Sequence, residues 1–202
     1  MDCSTDPPNR TFDAKETLRG RILTRRRTMT PADRDETNLA IQRTVIVDLP
    51  TVLSSTVAAY SPLPTEPGGT RLAHALHEAG FRLLLPVLRD DLDLDWAEFT
   101  GELATTRRRL DEPPGPRLGP EAVREASVVL VPALAVGPDG ARLGRGGGSF
   151  DRALARVATT TPVIAVLFDG EWPLPVPSEP HDAPVSHVVT PSGGLTPVGD
   201  VR

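Results

Sequence analysis

Apolar positions along the chain alternate between two spacings. Near the N-terminus, Leu18, Ile22 and Leu23 recur at helical intervals among arginines. They predict an amphipathic helix over residues 13–28. Asp13 and Glu16, three residues apart, read as its capping box. Thr30-Pro31 opens a second helix, with proline at the first helical position, continuing to about Val47. From residue 56 onward, short apolar runs alternate with helical patterns. Strands are expected over 56–60, 82–87, 127–131, 162–168 and 186–189. Helices are expected over 70–79, 121–126 and 149–158. The acidic stretch 90–101 reads as an irregular excursion, 113–120 as a Pro/Gly connector and 137–148 as a loop. Strands alternating with helices imply an α/β fold. The expected architecture is a mostly parallel sheet with helices on both faces, a Rossmann-like three-layer arrangement preceded by a helical pair. Residues 1–12 and 193–202 are expected to be flexible tails around one domain, 13–192.

Composition narrows the class. The 202 residues are 39% hydrophobic and 24% charged, a globular balance. The longest apolar run, 128–136, is interrupted by Pro132 and is too short to span a bilayer. The single cysteine, Cys3, excludes an intrachain disulfide and has no obvious partner as a nucleophile. With no apolar leader near the N-terminus, a cytoplasmic location is expected. A net charge of −5 argues against a general nucleic-acid binder. Lys15 is the only lysine among the 22 lysines and arginines. It is either a chance survivor on a solvated helix or a site that needs a compact, flexible ammonium that arginine does not replace.

The run Arg142-Leu-Gly-Arg-Gly-Gly-Gly-Ser-Phe-Asp151 carries the clearest chemistry. It lies between the strongest expected strand and a helix, where open α/β sheets bind ligands. Gly146, Gly147 and Gly148 let backbone N–H groups approach an anion, and Arg142 and Arg145 suit phosphate oxygens. Asp151 can hold Mg²⁺ carrying those phosphates. No Lys-Ser/Thr follows the glycines, and Ser149 stands where a third spaced glycine would fall, so neither a Walker A loop nor a dinucleotide fingerprint is present. Asp182 is either a second magnesium ligand or a turn residue in a polar loop. Glu66, after the first strand, could hydrogen-bond a polar ligand and alone reads as an ordinary loop acid. His74 and His77 read as solvated histidines.

Several ordered segments together resemble 5-formyltetrahydrofolate cyclo-ligases. They are Lys15-Glu-Thr-Leu-Arg19, the Tyr60–Glu66 strand and loop, Leu110-Asp-Glu-Pro113, Val131-Pro-Ala-Leu-Ala with the 142–152 loop, and Glu179-Pro-His-Asp182 followed by Val188-Val-Thr190. The resemblance implies a ligase that closes 5-formyltetrahydrofolate to 5,10-methenyltetrahydrofolate, with ATP as co-substrate and Mg²⁺ required. It implies that Lys15 and Arg19 contact ATP phosphates, with Lys15 and Arg145 serving the transfer. It assigns Arg142, Leu143, Gly144, Arg145, Gly146, Gly147, Gly148, Ser149 and Phe150 to the nucleotide loop, and Asp151 and Asp182 to magnesium. Ser61, Glu66 and Phe150 would meet the folate. The expected partners are ATP and a reduced folate, with no nucleic acid or membrane, and the expected state is a monomer. Two features depart from the family pattern. Ser149-Phe150 replaces an aromatic pair, and no glutamine occurs near Asp169-Gly-Glu171. The alternatives are a folate- or nucleotide-binding paralogue without cyclo-ligase activity, or another phosphate-ester enzyme with the same anion cradle.

Overall fold

A computed structural model describes residues 8–49, 56–177 and 183–199. The chain opens with two helices, α1 (Pro8–Thr28) and α2 (Pro31–Asp48). Thr30 caps α2: its hydroxyl oxygen accepts the Asp33 N–H at 3.1 Å, and Pro31 follows at the first helical position. Ile41 and Val45, one turn apart, are fully buried.

A seven-stranded sheet follows. Its strands are β1 (Thr56–Ala58), β2 (Arg82–Leu88), β3 (Leu94–Glu98), β6 (Val128–Pro132), β9 (Val163–Val166), β10 (His187–Thr190) and β11 (Gly194–Pro197). The order is β11-β10-β9-β6-β1-β2-β3. The five central strands are parallel, and the two edges, β3 and β11, are antiparallel. Two small hairpins, β4 (Ala104–Thr105) with β5 (Asp111–Glu112), and β7 (Ala135–Val136) with β8 (Arg142–Leu143), stand apart from it.

Alternate side chains of each central strand face opposite layers. Val57, Leu83, Leu85, Val128, Leu130, Ile164 and Val166 meet α2 and α3 (Leu72–Glu78). Ala58, Leu84, Val129, Val131 and Ala165 meet α4 (Ser149–Leu154) and the 3₁₀ turn Pro120–Glu125. Helices on both faces of a mostly parallel sheet confirm the expected architecture. A third cluster packs Ile22 of α1 on Leu134, Ala135 and Leu143 of the β7–β8 hairpin. No helix among the described residues is long and apolar enough to cross a membrane.

The structure corrects several expectations. Helix α1 begins at Pro8, so Asp13 lies inside it and caps nothing. Glu16 bonds Arg19 instead, one turn on. Proline needs no N–H partner at a helix start, which lets the helix extend into the expected tail. The 193–202 tail contains β11, which hydrogen-bonds to β10 through Val188↔Thr196 and Thr190↔Gly194. The acidic excursion contains β3, with Trp96 wholly buried. Asp95 faces outward and accepts the Gly119 N–H at 2.7 Å, so its charge does not interrupt the strand. The segment 121–126 is 3₁₀ rather than α, and α4 ends at Leu154.

Asp93, in the β2–β3 turn, is held by both ends of the Arg156 guanidinium, at 3.0 and 2.6 Å. Those hydrogen bonds hold its carboxyl below the usual carboxylate range. A carboxyl depressed by folding adds stability above its unfolded value of 3.8, and that stability is lost as pH falls through the lower folded value. Asp93→Asn should lower stability at pH 7 by about 1 kcal/mol. The difference from wild type should shrink as pH falls through the lowered folded value and the Asp93 carboxyl takes up its proton. Urea melts of both proteins across pH check this.

Candidate functional site

The sheet has a switch point between β1 and β6. From β1 the chain proceeds outward to β2, and it later returns to the other side of β1 as β6. In such sheets the crevice beyond the carboxyl ends of these two strands is open to a ligand. Here the segments leaving β1 and β6 both enter it. A cavity of about 330 Å³ lies there, lined by Tyr60, Ser61 and Glu66 from the first segment and by the 142–151 run from the second.

The β7–β8 hairpin folds the second segment back over the sheet end and delivers the glycines to the cavity. Gly146 and Gly148 have φ of +100° and +67°, a region costly for any residue with a Cβ. Gly148 is also the residue preceding α4.

Arg142 is buried. Its Nη2 donates to Asp151 Oδ1 at 2.5 Å and its Nη1 to the Pro132 carbonyl at 3.4 Å. It therefore braces the loop and fixes one oxygen of Asp151. Arg145 is 42% exposed, and its Nε donates to Glu66 Oε1 at 2.7 Å. Glu66 is itself buried, and its Oε2 accepts the Leu63 N–H at 2.9 Å. One ion pair thus joins the two strand-end segments across the cavity. Tyr60, next to it, donates to the Pro67 carbonyl at 2.7 Å. Burial first, and the Glu66 charge second, push its phenol well above its ordinary value.

Helix α1 reaches the loop from outside. Arg19 Nε donates to the Gly144 carbonyl at 3.0 Å, and its guanidinium lies 3.6 Å from where a Cβ on Gly146 would stand. Lys15 is one turn earlier on the same helix and is buried; neither residue lines the cavity.

Most of the sequence-derived candidates converge. Ser61, Glu66, Arg142, Gly144, Arg145, Gly146, Gly147, Gly148, Ser149, Phe150 and Asp151 all line the cavity. Leu143 does not: its side chain packs on Ile22 of α1. Asp182 lies outside the described residues. Among the described residues no group of three or more His, Cys, Asp or Glu side chains could hold a metal. His74 and His77 sit edge-on to Phe99, at 5.0 and 5.4 Å between ring centres.

Sequence reasoning missed one wall of the cavity. Pro86 and Leu88 of β2, Leu94 of β3 and Glu112 of β5 line it. The segment Leu110-Asp-Glu-Pro113 carries part of the family resemblance, but nothing in its spacing shows that β5 folds onto β2. Asp169-Gly-Glu171, where the family pattern has a glutamine, also has a specific place. Glu171 is fully buried, and both its oxygens accept from Arg26 of α1, at 2.9 and 2.6 Å.

The chain is similar to known proteins along most of its length. The sequence profile of the 5-formyltetrahydrofolate cyclo-ligase family matches residues 11–191. A Mycolicibacterium smegmatis protein named 5-formyltetrahydrofolate cyclo-ligase is 48% identical over 146 residues, 69% of this chain and 75% of its own. An Escherichia coli K12 protein of the same name is 30% identical over 177 residues, 85% of this chain and 97% of its own. The NMR structure of Aquifex aeolicus 5,10-methenyltetrahydrofolate synthetase superposes with a TM-score of 0.73 at 26% identity, covering 93% of this chain and 94% of that one. A 5,10-methenyltetrahydrofolate synthetase from Mycoplasma pneumoniae shares the fold, with a TM-score of 0.69 at 19% identity, covering 86% of this chain and 96% of that one.

Proposed function

The chain belongs to the 5-formyltetrahydrofolate cyclo-ligase family, and from that membership we propose that it is a ligase converting 5-formyltetrahydrofolate to 5,10-methenyltetrahydrofolate with cleavage of ATP to ADP and phosphate. The observation that carries this reading is the cavity at the sheet switch point, where a cationic glycine loop and a buried carboxylate meet across the Arg145–Glu66 pair. A formamide oxygen is a poor leaving group. In the proposed reaction it attacks the γ-phosphorus of ATP and ADP departs. The resulting iminium phosphate is attacked by N10, N10 loses its proton, and phosphate leaves with the former formyl oxygen. Such chemistry needs placement and charge stabilisation more than a nucleophilic side chain.

The residues divide accordingly. Arg145 and the backbone N–H groups of Gly146–Gly148 suit the phosphate oxygens. Arg145 must then exchange Glu66 for phosphate, which leaves Glu66 to face the formyl group beside Ser61. Arg19 and Lys15 approach from α1, and Lys15 is proposed to extend its ammonium to the same phosphates. Arg142 holds Asp151 in place.

Among the described residues, Arg142 takes one Asp151 oxygen and the other has no hydrogen-bond partner. Mg²⁺ usually takes one or two carboxylates plus substrate phosphates, so Asp151 fits, with Asp182 proposed beside it on the family pattern alone. Bound there, the ion would neutralise charge on the transferring phosphoryl group.

Lys15→Ala should lower kcat/KM for ATP at least about tenfold, equivalent to about 1.4 kcal/mol. Lys15→Arg should recover little, because a planar guanidinium does not replace a compact ammonium. Steady-state kinetics with ATP varied checks both. The reading as a whole is tested by omission. Methenyl product should form only when protein, 5-formyltetrahydrofolate, ATP and Mg²⁺ are all present. Product formed without ATP would overturn it.

A further inference from the structure

The cavity holds two buried glutamates that are matched differently. Glu66 has a cation, Arg145, and a backbone donor. Glu112 of β5 is 8% exposed, and its Oε1 accepts the Leu88 N–H at 3.0 Å. Among the described residues that is its only side-chain hydrogen bond, and no cation pairs with it. A carboxylate removed from water without a cation is costly unless donors reach it. The proposed reaction gives Glu112 no part in phosphoryl transfer or ring closure.

Its surroundings say what could satisfy it. Pro86, Leu88, Leu94 and Leu110 give that part of the cavity apolar walls, suited to a flat ring with polar edges. The phosphate-facing arginines are on the loop after β6, whereas β5 packs against β2, and β1 separates β2 from β6 in the sheet. A carboxylate repels phosphate, so the anionic end of a ligand belongs at the loop and a donor-bearing ring at Glu112. Resting on the proposed reaction, two rings compete for that place. Adenine offers one amino group flanked by acceptor nitrogens. A reduced pterin offers an amino group beside a ring N–H, two parallel donors on one edge, which match a carboxylate.

We propose that Glu112 is the specificity residue for the folate, accepting hydrogen bonds from the amino and ring N–H edge of its pterin. Glu112 plays no part in bond making; it selects and orients the ring, with the Leu88 N–H holding its carboxylate in place.

Glu112→Gln tests this with little change of shape. The amide oxygen can keep the Leu88 bond while its NH₂ turns donor against donor. The Kd for 5-formyltetrahydrofolate should rise at least about tenfold, while the Kd for Mg-ATP stays within about twofold. An analogue with methyl in place of the 2-amino group should bind wild type about tenfold more weakly, and Glu112→Gln should weaken it little further. Unchanged folate binding by Glu112→Gln would overturn the assignment and leave Glu112 a structural support for β2. Weakened ATP with intact folate would overturn it in favour of adenine. If the variant fails to fold, the analogue on wild type decides alone: equal affinity for analogue and folate overturns the proposal. A wild-type protein that binds folate through Glu112 yet never turns it over would contradict the proposed reaction and leave this assignment standing.

Discussion

Glu171→Ala should cost about 3–5 kcal/mol of folding stability, the largest effect expected of any single change outside the cavity. Glu171 and Arg26 are 0% and 1% exposed, with their charged groups in contact at 2.6 Å. Arg26 also donates to the Ala133 carbonyl at 2.7 Å and stacks over Phe168, 5.4 Å from its ring centre. Glu171 also accepts the Phe168 N–H at 2.9 Å and faces Arg25. Removing the glutamate strands a guanidinium in the interior, where water cannot solvate it. A protein stable by about 5–15 kcal/mol would lose a large fraction of that margin. Replacing both partners by apolar residues, as in Arg26→Met with Glu171→Leu, should restore much of the loss, because neither charge is then left alone. Urea melts of the single and double variants measure this. A single variant within about 0.5 kcal/mol of wild type would show that the pair contributes little.

Arg145→Ala should lower turnover at least about tenfold, or about 1.4 kcal/mol of barrier, with cooperative unfolding retained. The side chain is 42% exposed, so folding does not depend on burying it. Its expected role changes during the reaction. With the cavity free of phosphate it is held by Glu66 at 2.7 Å; with ATP bound, phosphate oxygens compete for the same guanidinium. Two defects should follow from its loss. The transferring phosphoryl loses a cation, and Glu66 loses the partner that positions it. Arg145→Lys should recover part of the rate, since a point charge replaces a fork. Initial rates at saturating substrates distinguish these variants. Turnover unchanged in Arg145→Ala would remove the residue from the site.

The strands of the central sheet were legible because they are buried on both faces and so read as apolar runs, as in Val128-Val-Leu-Val131. Edge strands were not. β3 mixes Trp96 with outward Asp95 and Glu98, and β11 is glycine- and threonine-containing, so neither presents a continuous apolar signal. The start of α1 was misplaced because Asp13 and Glu16 mimic a capping box, while a polar helix has no strong periodicity to correct the reading.

The site followed the same logic. The glycine loop was legible because its glycines, arginines and acid fall within one run of ten residues. Glu66 gained weight only through the family pattern, because its partner Arg145 is 79 positions away. Glu112 and the Arg26–Glu171 pair were hidden for the same reason. A pair separated by 145 positions has no local pattern, and only the packing of α1 against the sheet end brings it together.

The central claim is that phosphoryl transfer and ring closure are one coupled event in this cavity. The most direct measurement follows the methenyl chromophore and ADP together, in one reaction of pure protein with Mg-ATP and 5-formyltetrahydrofolate. Equal molar formation of the two is the expected result, and it would also show that Ser149-Phe150 serves in place of an aromatic pair. ADP without chromophore, or neither product from a folded protein that binds ATP, would contradict the claim.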